Sequence, residues 1–309
     1  MSVRTVRIVL ATDSLDPSGM GAHMLTLASA LDSVFEVTIA AMATPPCALL
    51  HQAARRGLAV KAIDDAVSFS AWLGASDISL LHVHAGIGWE GHELAHAGLQ
   101  KQIPVVRTEH LPYLLTDPEQ VERYRQESAG LAHHIVVSDA SRISFEKNGI
   151  DTAQLTVVRN GIVPLAPAVE TDRLRAELDL IGRTVLLTVA RFSRQKDHAS
   201  LLKALPAVIA ADASVLLLLV GQGEEMTGVQ AMASELGVTD HVRFLGHRSD
   251  IAEVMALADL FVLPSRFEGL PLAVLEAMSI GLPIVATRIG GTIEALGPDH
   301  TFLAEPGNP

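Results

Sequence analysis

Short apolar runs alternate with longer amphipathic stretches along the whole chain. Apolar runs bounded by polar residues, glycine or proline predict buried strands, and helical spacing between them predicts helices. The pattern predicts strands at residues 6–11, 34–40, 58–63, 79–82, 104–108, 134–138, 156–158, 184–190, 215–220, 242–245, 260–263 and 284–287. Strands that alternate with helices are typical of α/β proteins with parallel sheets.

The alternation is interrupted at residues 160–167, where Gly161, Pro164 and Pro167 break both the strand and the helix period. We therefore predict two doubly wound Rossmann-like domains, residues 1–163 and 164–309, that face each other across a cleft. In open parallel sheets, ligands bind beyond the carboxyl ends of the strands. The ligand is expected where the carboxyl ends of both sheets meet.

Composition narrows the class of protein. The chain has 309 residues, of which 49% are apolar and 19% charged, as in globular proteins with full hydrophobic cores. A net charge of −12 argues against a nucleic-acid partner. The longest apolar run, 215–220, is too short to cross a bilayer, and a single cysteine excludes an internal disulfide. These features favour a cytoplasmic enzyme.

The strongest chemical signal lies between Pro264 and Glu276. Pro271 suits a first helical position and Gly281 a helix end, so Glu268 precedes a helix that contains Glu276. Free amides and the helix dipole at such an N-terminus favour phosphate. Because carboxylates accept hydrogen bonds from hydroxyl groups, the spacing favours a diphosphate that carries a sugar at one end and a ribose at the other. A helix with two solvated glutamates is the alternative.

Charged groups also follow two other predicted strands. Arg191 and Lys196 share one strand-to-helix loop, where two cations can neutralise a diphosphate and stabilise charge that grows on it. His110 ends a strand of the first half, and it can donate to a sugar hydroxyl or move a proton. A solvated basic loop and a structural histidine are the alternatives.

Glycines follow the first predicted strand. Gly19 and Gly21 lie in a loop, before a helix expected to begin near Met24, and they let the backbone approach a phosphate or sugar closely. A dinucleotide-binding fingerprint would need a third glycine at the position of Met24, which makes a nicotinamide cofactor a weak interpretation. An ordinary flexible turn remains the alternative.

In their order along the chain, these motifs resemble those of the retaining nucleotide-sugar glycosyltransferases of the two-Rossmann-domain (GT-B) type, family 4. Each motif is a weak signal alone, but together they cover nearly the whole chain. The matching segments are the Gly19 and Gly21 loop, 82–84, 108–110, 138–140, 160–162, Arg191 with Lys196, 220–223, 242–248, Glu268 with Glu276, and 290–294.

The resemblance implies roles at the donor sugar and the ribose. Glu268 would hold hydroxyls of the donor sugar, and the amides of Gly269 and Leu270 would contact sugar or phosphate. Glu276 would accept hydrogen bonds from the ribose hydroxyls. His110 would face the sugar and help to shape the transition state.

It also implies roles at the diphosphate and the base. Arg191 and Lys196 would hold the diphosphate as the leaving group, and the two glycines after the first strand would close over the phosphates. The segment around His247 and Arg248 would contact the nucleotide base, chiefly through backbone groups.

The activity implied is transfer of a sugar from a nucleotide diphosphate sugar to an acceptor hydroxyl, with retention of anomeric configuration. The family needs no metal and no cofactor, and the chain has no Asp-x-Asp motif. The acceptor, and peripheral contact with the inner membrane surface, are left open. The family normally continues beyond residues 302–309, so we expect the second domain to lack its usual C-terminal helices. A nucleotide-sugar epimerase and a donor-binding protein inactivated by truncation are the alternatives.

The segment from His92 to His96 matches the His-Glu-x-x-His pattern of zinc proteases, with Glu119 or Glu122 as a third candidate ligand. It falls between two predicted strands of the first domain, on an outer packing helix. Solvated histidine and glutamate are ordinary there, so a structural role is favoured.

Overall fold

A computed structural model of the protein describes residues 5–15, 18–31, 33–43, 47–86, 88–151, 155–167 and 171–309. The chain divides into two compact units, Met1–Gly161 and Ile162–Pro309. The division therefore falls two residues before the boundary expected from the sequence. Within the described residues, no helix combines the length and apolar character that a membrane crossing requires.

The first unit is built on one parallel sheet. Its strands are β1 (Val6–Thr12), β2 (Phe35–Met42), β3 (Ala59–Ile63), β4 (Leu80–Ala85), β5 (Val105–Glu109), β6 (His133–Val136) and β7 (Leu155–Val157). Its helices are α1 (Ser18–Ala30), α2 (Ala48–Arg55), α3 (Ala66–Ala75), α4 (His92–Gln100), α5 (Pro118–Ser128) and α6 (Asp139–Lys147). The strand order is β3-β2-β1-β4-β5-β6-β7, so the direction of winding reverses between β1 and β4.

The second unit repeats this plan. Its strands are β8 (Thr184–Val189), β9 (Val215–Val220), β10 (Val242–Gly246), β11 (Leu260–Leu263), β12 (Ile284–Thr287) and β13 (Leu303–Ala304). Its helices are α7 (Thr171–Glu177), α8 (His198–Ala211), α9 (Met226–Glu235), α10 (Ile251–Ala256), α11 (Leu272–Ser279) and α12 (Gly290–Leu296). The order β10-β9-β8-β11-β12-β13 places the reversal between β8 and β11.

Strand β9 shows why uninterrupted apolar runs become central strands. All six of its residues are buried. Leu216 and Leu218 pack into the core on one face of the sheet, and Leu217 and Leu219 pack into the core on the other. A parallel sheet covered by helices on both faces needs apolar side chains at successive positions, because neighbouring residues point to opposite faces.

Every strand predicted from the apolar pattern is present, and those at 215–220, 260–263 and 284–287 have the predicted bounds. The sheets are parallel and doubly wound, as the sequence predicted. Strand β13 was not predicted, because it contributes only two residues, paired to the end of β12.

The start of α1 corrects one expectation. The helix begins at Ser18 and not near Met24, so Gly19 and Gly21 lie in its first turns and not in a loop. Met20, Met24 and three further residues of α1 are buried against the sheet. This burial outweighs the low helix propensity of glycine, which costs about 1 kcal/mol per residue. Asp16 and Pro17, also assigned to the expected loop, lie outside the described residues.

Candidate functional site

The reversal of winding in the second unit brings two loops together. One follows β8 and carries Arg191 and Lys196, and the other follows β11 and carries Glu268. The amide of Arg266 donates to the carbonyl of Gln195 at 2.8 Å, and Gln195 Nε2 donates to the Phe267 carbonyl at 3.0 Å. The loops are therefore joined at the carboxyl ends of neighbouring strands, where ligands bind in such sheets.

Glu268 lies at this junction with only 7% of its surface exposed. Its Oε1 accepts a hydrogen bond from Ser265 Oγ at 2.7 Å and forms an ion pair with Lys196 Nζ. Its Oε2 accepts from Gln195 Nε2 at 3.3 Å. A buried carboxylate must be paired and hydrogen-bonded, so these three partners hold Glu268 in one orientation. The structure thus brings together two residues that are 72 positions apart.

Glycines allow close approach of backbone around the junction. A Cβ at Gly291, in the first turn of α12, would lie 2.5 Å from the Gly269 carbonyl oxygen. A Cβ at Gly221, after β9, would lie 2.0 Å from the Ala190 carbonyl oxygen, and Gly221 also has a φ of +142°. The two loops are therefore packed against further backbone, which fixes their shape.

Helix α11 begins directly after this junction. Gly269 and Leu270 are buried, Pro271 precedes the first helical residue, and Gly281 follows the helix with a φ of +72°. The helix starts one residue later than expected. Its N-terminal amides lie next to the Glu268 segment, as an anion site at the helix start would require.

Glu276 lies in the second turn of α11 and is half-buried. Burial raises the pKa of Glu276 to about 7. No side chain among the described residues bonds its carboxylate, so the group is available to hydroxyl donors.

Of the other residues expected at the nucleotide, Arg191 shares the loop of Lys196, whereas His247 and Arg248 follow a different strand. His247 and Arg248 follow β10, the edge strand of the sheet, and β9 separates β10 from β8. His247 is exposed, while Arg248 Nε donates to Asp250 Oδ1 at 2.8 Å. This hydrogen bond lowers the pKa of Asp250. Arg191 is half-buried directly after β8.

In the first unit, His110 follows β5, and its amide donates to the Ala85 carbonyl at the end of β4. Its Nε2 lies 3.0 Å from Nδ1 of His84. The ring centroid of His23, on α1, lies 5.0 Å from that of His110 and 5.7 Å from that of His84. His82 stacks on His84 at 4.2 Å and bonds Thr108 Oγ1 at 2.7 Å. These rings form a histidine cluster, which we define as His23, His82, His84 and His110.

Burial favours the neutral form of the rings in the cluster. Burial lowers the pKa of His23, lowers the pKa of His82 to about 3, and holds the pKa values of His84 and His110 well below the ordinary value. Neighbouring histidines add to the effect for His82, His84 and His110. In the bond between His84 and His110, one neutral ring must therefore donate and the other accept.

A buried ion pair anchors the strand that leads to His110. Arg107 and Glu109 are each 1% exposed and joined through Arg107 Nε. Glu109 Oε1 also accepts from Tyr124 Oη at 3.0 Å and lies 3.3 Å from His134 Nε2. Burial acts to raise the pKa of Glu109, but Arg107 and His134 outweigh it and hold that pKa below its ordinary value.

The zinc-protease pattern is engaged in structural contacts. Nε2 of His92 lies 2.6 Å from the Gly88 carbonyl oxygen, and its Nδ1 contacts the carboxylate of Glu127. His96 is exposed and bonds Gln100. Both nitrogens of His92 are engaged, and this histidine is buried rather than solvated, whereas His96 is solvated as the sequence analysis expected.

Sequence reasoning assigned a role to His110 but missed the cluster around it. His84 lies in the matching segment 82–84 and His23 follows the Gly19 and Gly21 segment, but neither was assigned a role. A signal existed, because His84 and His110 follow consecutive predicted strands, whose carboxyl ends are adjacent in the sheet.

Two family models together cover most of the chain. The model described as "Glycosyltransferase Family 4" matches residues 17–164. The model described as "Glycosyl transferases group 1" matches residues 171–309. The first match lies in the first unit except for three residues, and the second lies entirely in the second unit.

Individual relatives agree with these matches. The chain is 34% identical over 125 residues to N-acetyl-alpha-D-glucosaminyl L-malate synthase of Bacillus anthracis, covering 40% of this chain and 32% of that protein. It is 35% identical over 153 residues to a GDP-mannose-dependent alpha-(1-6)-phosphatidylinositol monomannoside mannosyltransferase of Mycolicibacterium smegmatis, covering 43% of this chain and 40% of that protein. The chain thus spans less than half the length of these curated relatives.

A solved structure shares the fold over almost the whole chain. The crystal structure of HepE from Anabaena in complex with UDP-glucose superposes with a TM-score of 0.85 at 21% identity. The match covers 97% of this chain and 86% of that protein. At this level of identity, the similarity shows the fold.

Proposed function

Because the chain belongs to the GT-B glycosyltransferases that join a family 4 domain to a group 1 domain, we propose that it transfers a sugar from a nucleoside diphosphate sugar to an acceptor hydroxyl. We further propose that the anomeric configuration is retained and that no metal is needed on the diphosphate. The donor class is supported by the UDP-glucose bound to the Anabaena protein and by the GDP-mannose dependence of the mycobacterial relative.

The observation that carries this proposal is the pairing of Lys196 with Glu268 beside the N-terminus of α11. Glu268 presents a fixed carboxylate to sugar hydroxyls. Its Oε2 accepts a long hydrogen bond from Gln195, which a sugar hydroxyl can replace. The amides at the start of α11 suit a phosphate group. Glu276, in the next turn, accepts hydrogen bonds from the ribose hydroxyls.

The cations account for departure of the leaving group. When the bond between the sugar and the diphosphate breaks, negative charge grows on the phosphate oxygen. Arg191 and Lys196, in the loop after β8, stabilise this charge and take the place of a metal ion. The departing phosphate oxygen then takes the proton of the acceptor hydroxyl on the same face of the sugar, which gives retention.

Backbone groups around His247 and Arg248 remain the predicted contacts of the nucleotide base. His110, Gly19 and Gly21 belong to the first unit, and their roles at the sugar and the phosphates also remain predictions.

Two carboxylate substitutions test the assigned roles. Glu268→Gln should leave the affinity for UDP or GDP within about threefold and lower kcat/KM for the sugar donor about 100-fold, since the sugar hydroxyls lose a charged acceptor while Lys196 remains able to hold the diphosphate. Glu276→Ala should lower nucleoside diphosphate affinity about tenfold, because two ribose hydrogen bonds are lost. Calorimetric titration and a donor-consumption assay measure both effects.

Glu235→Gln, at the exposed end of α9, is the matched control and should change neither quantity. If both test variants bound and used the donor like the unmodified protein, the roles would be wrong. If no nucleoside diphosphate raised the melting temperature of the full chain, the function itself would be wrong. Release of an isomerised free sugar without acceptor would favour an epimerase.

A further inference from the structure

Three imidazole rings of the histidine cluster converge from three separate elements of the first unit. His23 comes from the second turn of α1, His84 from β4, and His110 from the residue after β5. Each ring offers one nitrogen, and these nitrogens all lie within 4.8 Å of one another. Among the described residues, these three histidines are the group of potential metal ligands whose atoms lie close enough together to hold one ion.

The spacing is close to that of a tetrahedral metal. Zinc binds imidazole nitrogen at about 2.0–2.1 Å, so two ligands of one tetrahedral ion lie about 3.3 Å apart. His84 Nδ1 and His110 Nε2 are already 3.0 Å apart. His23 is only half-buried, so its ring can rotate to close the remaining distance.

Two of the three ligands are held in place before any ion binds. His84 is fully buried, and it stacks on His82, which is itself bonded to Thr108. The amide of His110 is bonded to the end of β4. A site built on rigid strands loses little conformational entropy when it binds.

The ring of His84 has one unpartnered nitrogen. Nε2 of His84 is buried and has no hydrogen-bond partner among the described residues. Among the described residues, the His84 ring therefore has one hydrogen-bond partner, His110, and its Nε2 stays unpartnered in either tautomer. An ion that binds His84 Nδ1 and His110 Nε2 replaces this shared hydrogen bond with two coordinate bonds, and each ring keeps its proton on its other nitrogen.

The charges around the group favour a metal that prefers neutral nitrogen ligands. His82 faces His84, and Glu109, the neighbour of His110, is committed to Arg107, Tyr124 and His134. Three imidazoles with an open fourth position are a frequent ligand set of zinc.

We propose that His23, His84 and His110 form a site for one Zn²⁺ ion, with the fourth position open to water. Zinc at this site would bind Nε2 of His110, the residue that is expected to face the donor sugar. Zinc is therefore an inhibitor of transfer, a consequence that rests on the proposed function.

The test uses the full chain freed of metal with a chelator. Calorimetric titration with ZnCl₂ should give one ion per chain, and titration with Co²⁺ should give the visible absorption of a low-symmetry site. X-ray absorption of the zinc form should show nitrogen neighbours at about 2.0–2.1 Å.

The variants His23→Asn and His84→Asn should each weaken zinc binding at least tenfold. His96→Asn is the matched control, since His96 is exposed and lies outside the group, and it should bind like the unmodified protein. His84 is buried, so melting curves accompany every variant, and His23→Asn alone decides the result if His84→Asn does not fold. Absence of stoichiometric binding, or equal binding by His23→Asn and the unmodified chain, would overturn the proposal.

A second arm tests inhibition. Zinc should slow sugar transfer by the unmodified chain, EDTA should restore it, and His23→Asn should be insensitive. Zinc that binds without slowing transfer would overturn the inhibitory role and leave the site standing. The binding measurements do not depend on sugar transfer, so a failure of the proposed function is distinguished from a failure of the metal site.

Discussion

At the scale of single residues, we expect the half-buried carboxyl group of Glu276 to make the unfolding free energy of the protein depend on pH. Burial raises its pKa to about 7, against an ordinary value of 4.5. A carboxyl group with a raised pKa binds its proton more tightly in the folded state. Its contribution to stability is therefore complete below pH 4.5 and is lost as the pH rises through 7. Complete loss corresponds to at most about 3 kcal/mol.

We expect Glu276→Gln to remove this dependence. The unfolding free energy of the unmodified protein should fall relative to that of the variant by about 1–3 kcal/mol between pH 5 and pH 8.5. Urea unfolding at several pH values measures the difference, and Glu235→Gln, exposed at the end of α9, should follow the unmodified protein. Parallel pH profiles for Glu276→Gln and the unmodified chain would contradict the assignment.

The identities of Glu268 and Lys196 could be predicted from their places after strands, but their contact could not. They are 72 residues apart, and only the order of β8 and β11 in the sheet makes them neighbours. Part of the histidine cluster could have been predicted, because His84 and His110 follow consecutive predicted strands, but the approach of His23 from α1 is seen only in the structure.

At the scale of elements, the segment after β9 depends on glycine. The φ of +142° at Gly221 and the 2.0 Å approach to the Ala190 carbonyl exclude a side chain. Gly221→Ala should lower the unfolding free energy by at least about 2 kcal/mol, since it combines backbone strain with a steric clash.

Gly228 is the matched control because it lies inside α9, where an added Cβ would have no atom within 4 Å. Gly228→Ala should raise the unfolding free energy by about 0.5–1 kcal/mol through helix propensity. Urea unfolding measures both variants. Equal effects of the two substitutions would show that the close approach at Gly221 is not maintained.

Strands were predictable because the burial of both sheet faces leaves continuous apolar runs, as in β9 and β11. The starts of helices were harder to predict from the sequence. Gly19 and Gly21 indicated a loop by propensity, yet packing of Met20 and Met24 extends α1 through them. Strand β13 is too short to leave an apolar run of its own.

At the scale of the whole molecule, each unit has its own sheet and its own cores. Leu187 and Leu217 belong to the cores of the second unit, and Val9 and Leu10 belong to those of the first. Among the described residues, no core residue is shared between the units. The residues proposed to contact the nucleotide, from Arg191 to Glu276, lie in the second unit.

Residues 162–309 expressed alone should therefore fold cooperatively and bind UDP or GDP within about tenfold of the full chain, since the larger share of the binding groups is retained. Calorimetric titration measures the affinity of the fragment for the nucleotide, and thermal melting measures whether it folds cooperatively. Residues 1–161 should not bind the nucleotide, and Glu276→Ala should weaken binding by the fragment as it does in the full chain. A folded fragment that ignores every nucleoside diphosphate would contradict the assignment of the site.

The ion pair between Lys196 and Glu268 has a consequence for how a substrate enters. Both groups have already lost most of their hydration when the chain folds, with the Glu268 side chain 5% and the Lys196 side chain 20% exposed. If the pair binds the donor as proposed, we expect the incoming molecule to exchange partners with a dry, aligned pair, without stripping water from two mobile charges. Folding has already removed most of this water, so we expect binding here to be faster and more selective than at two solvated side chains.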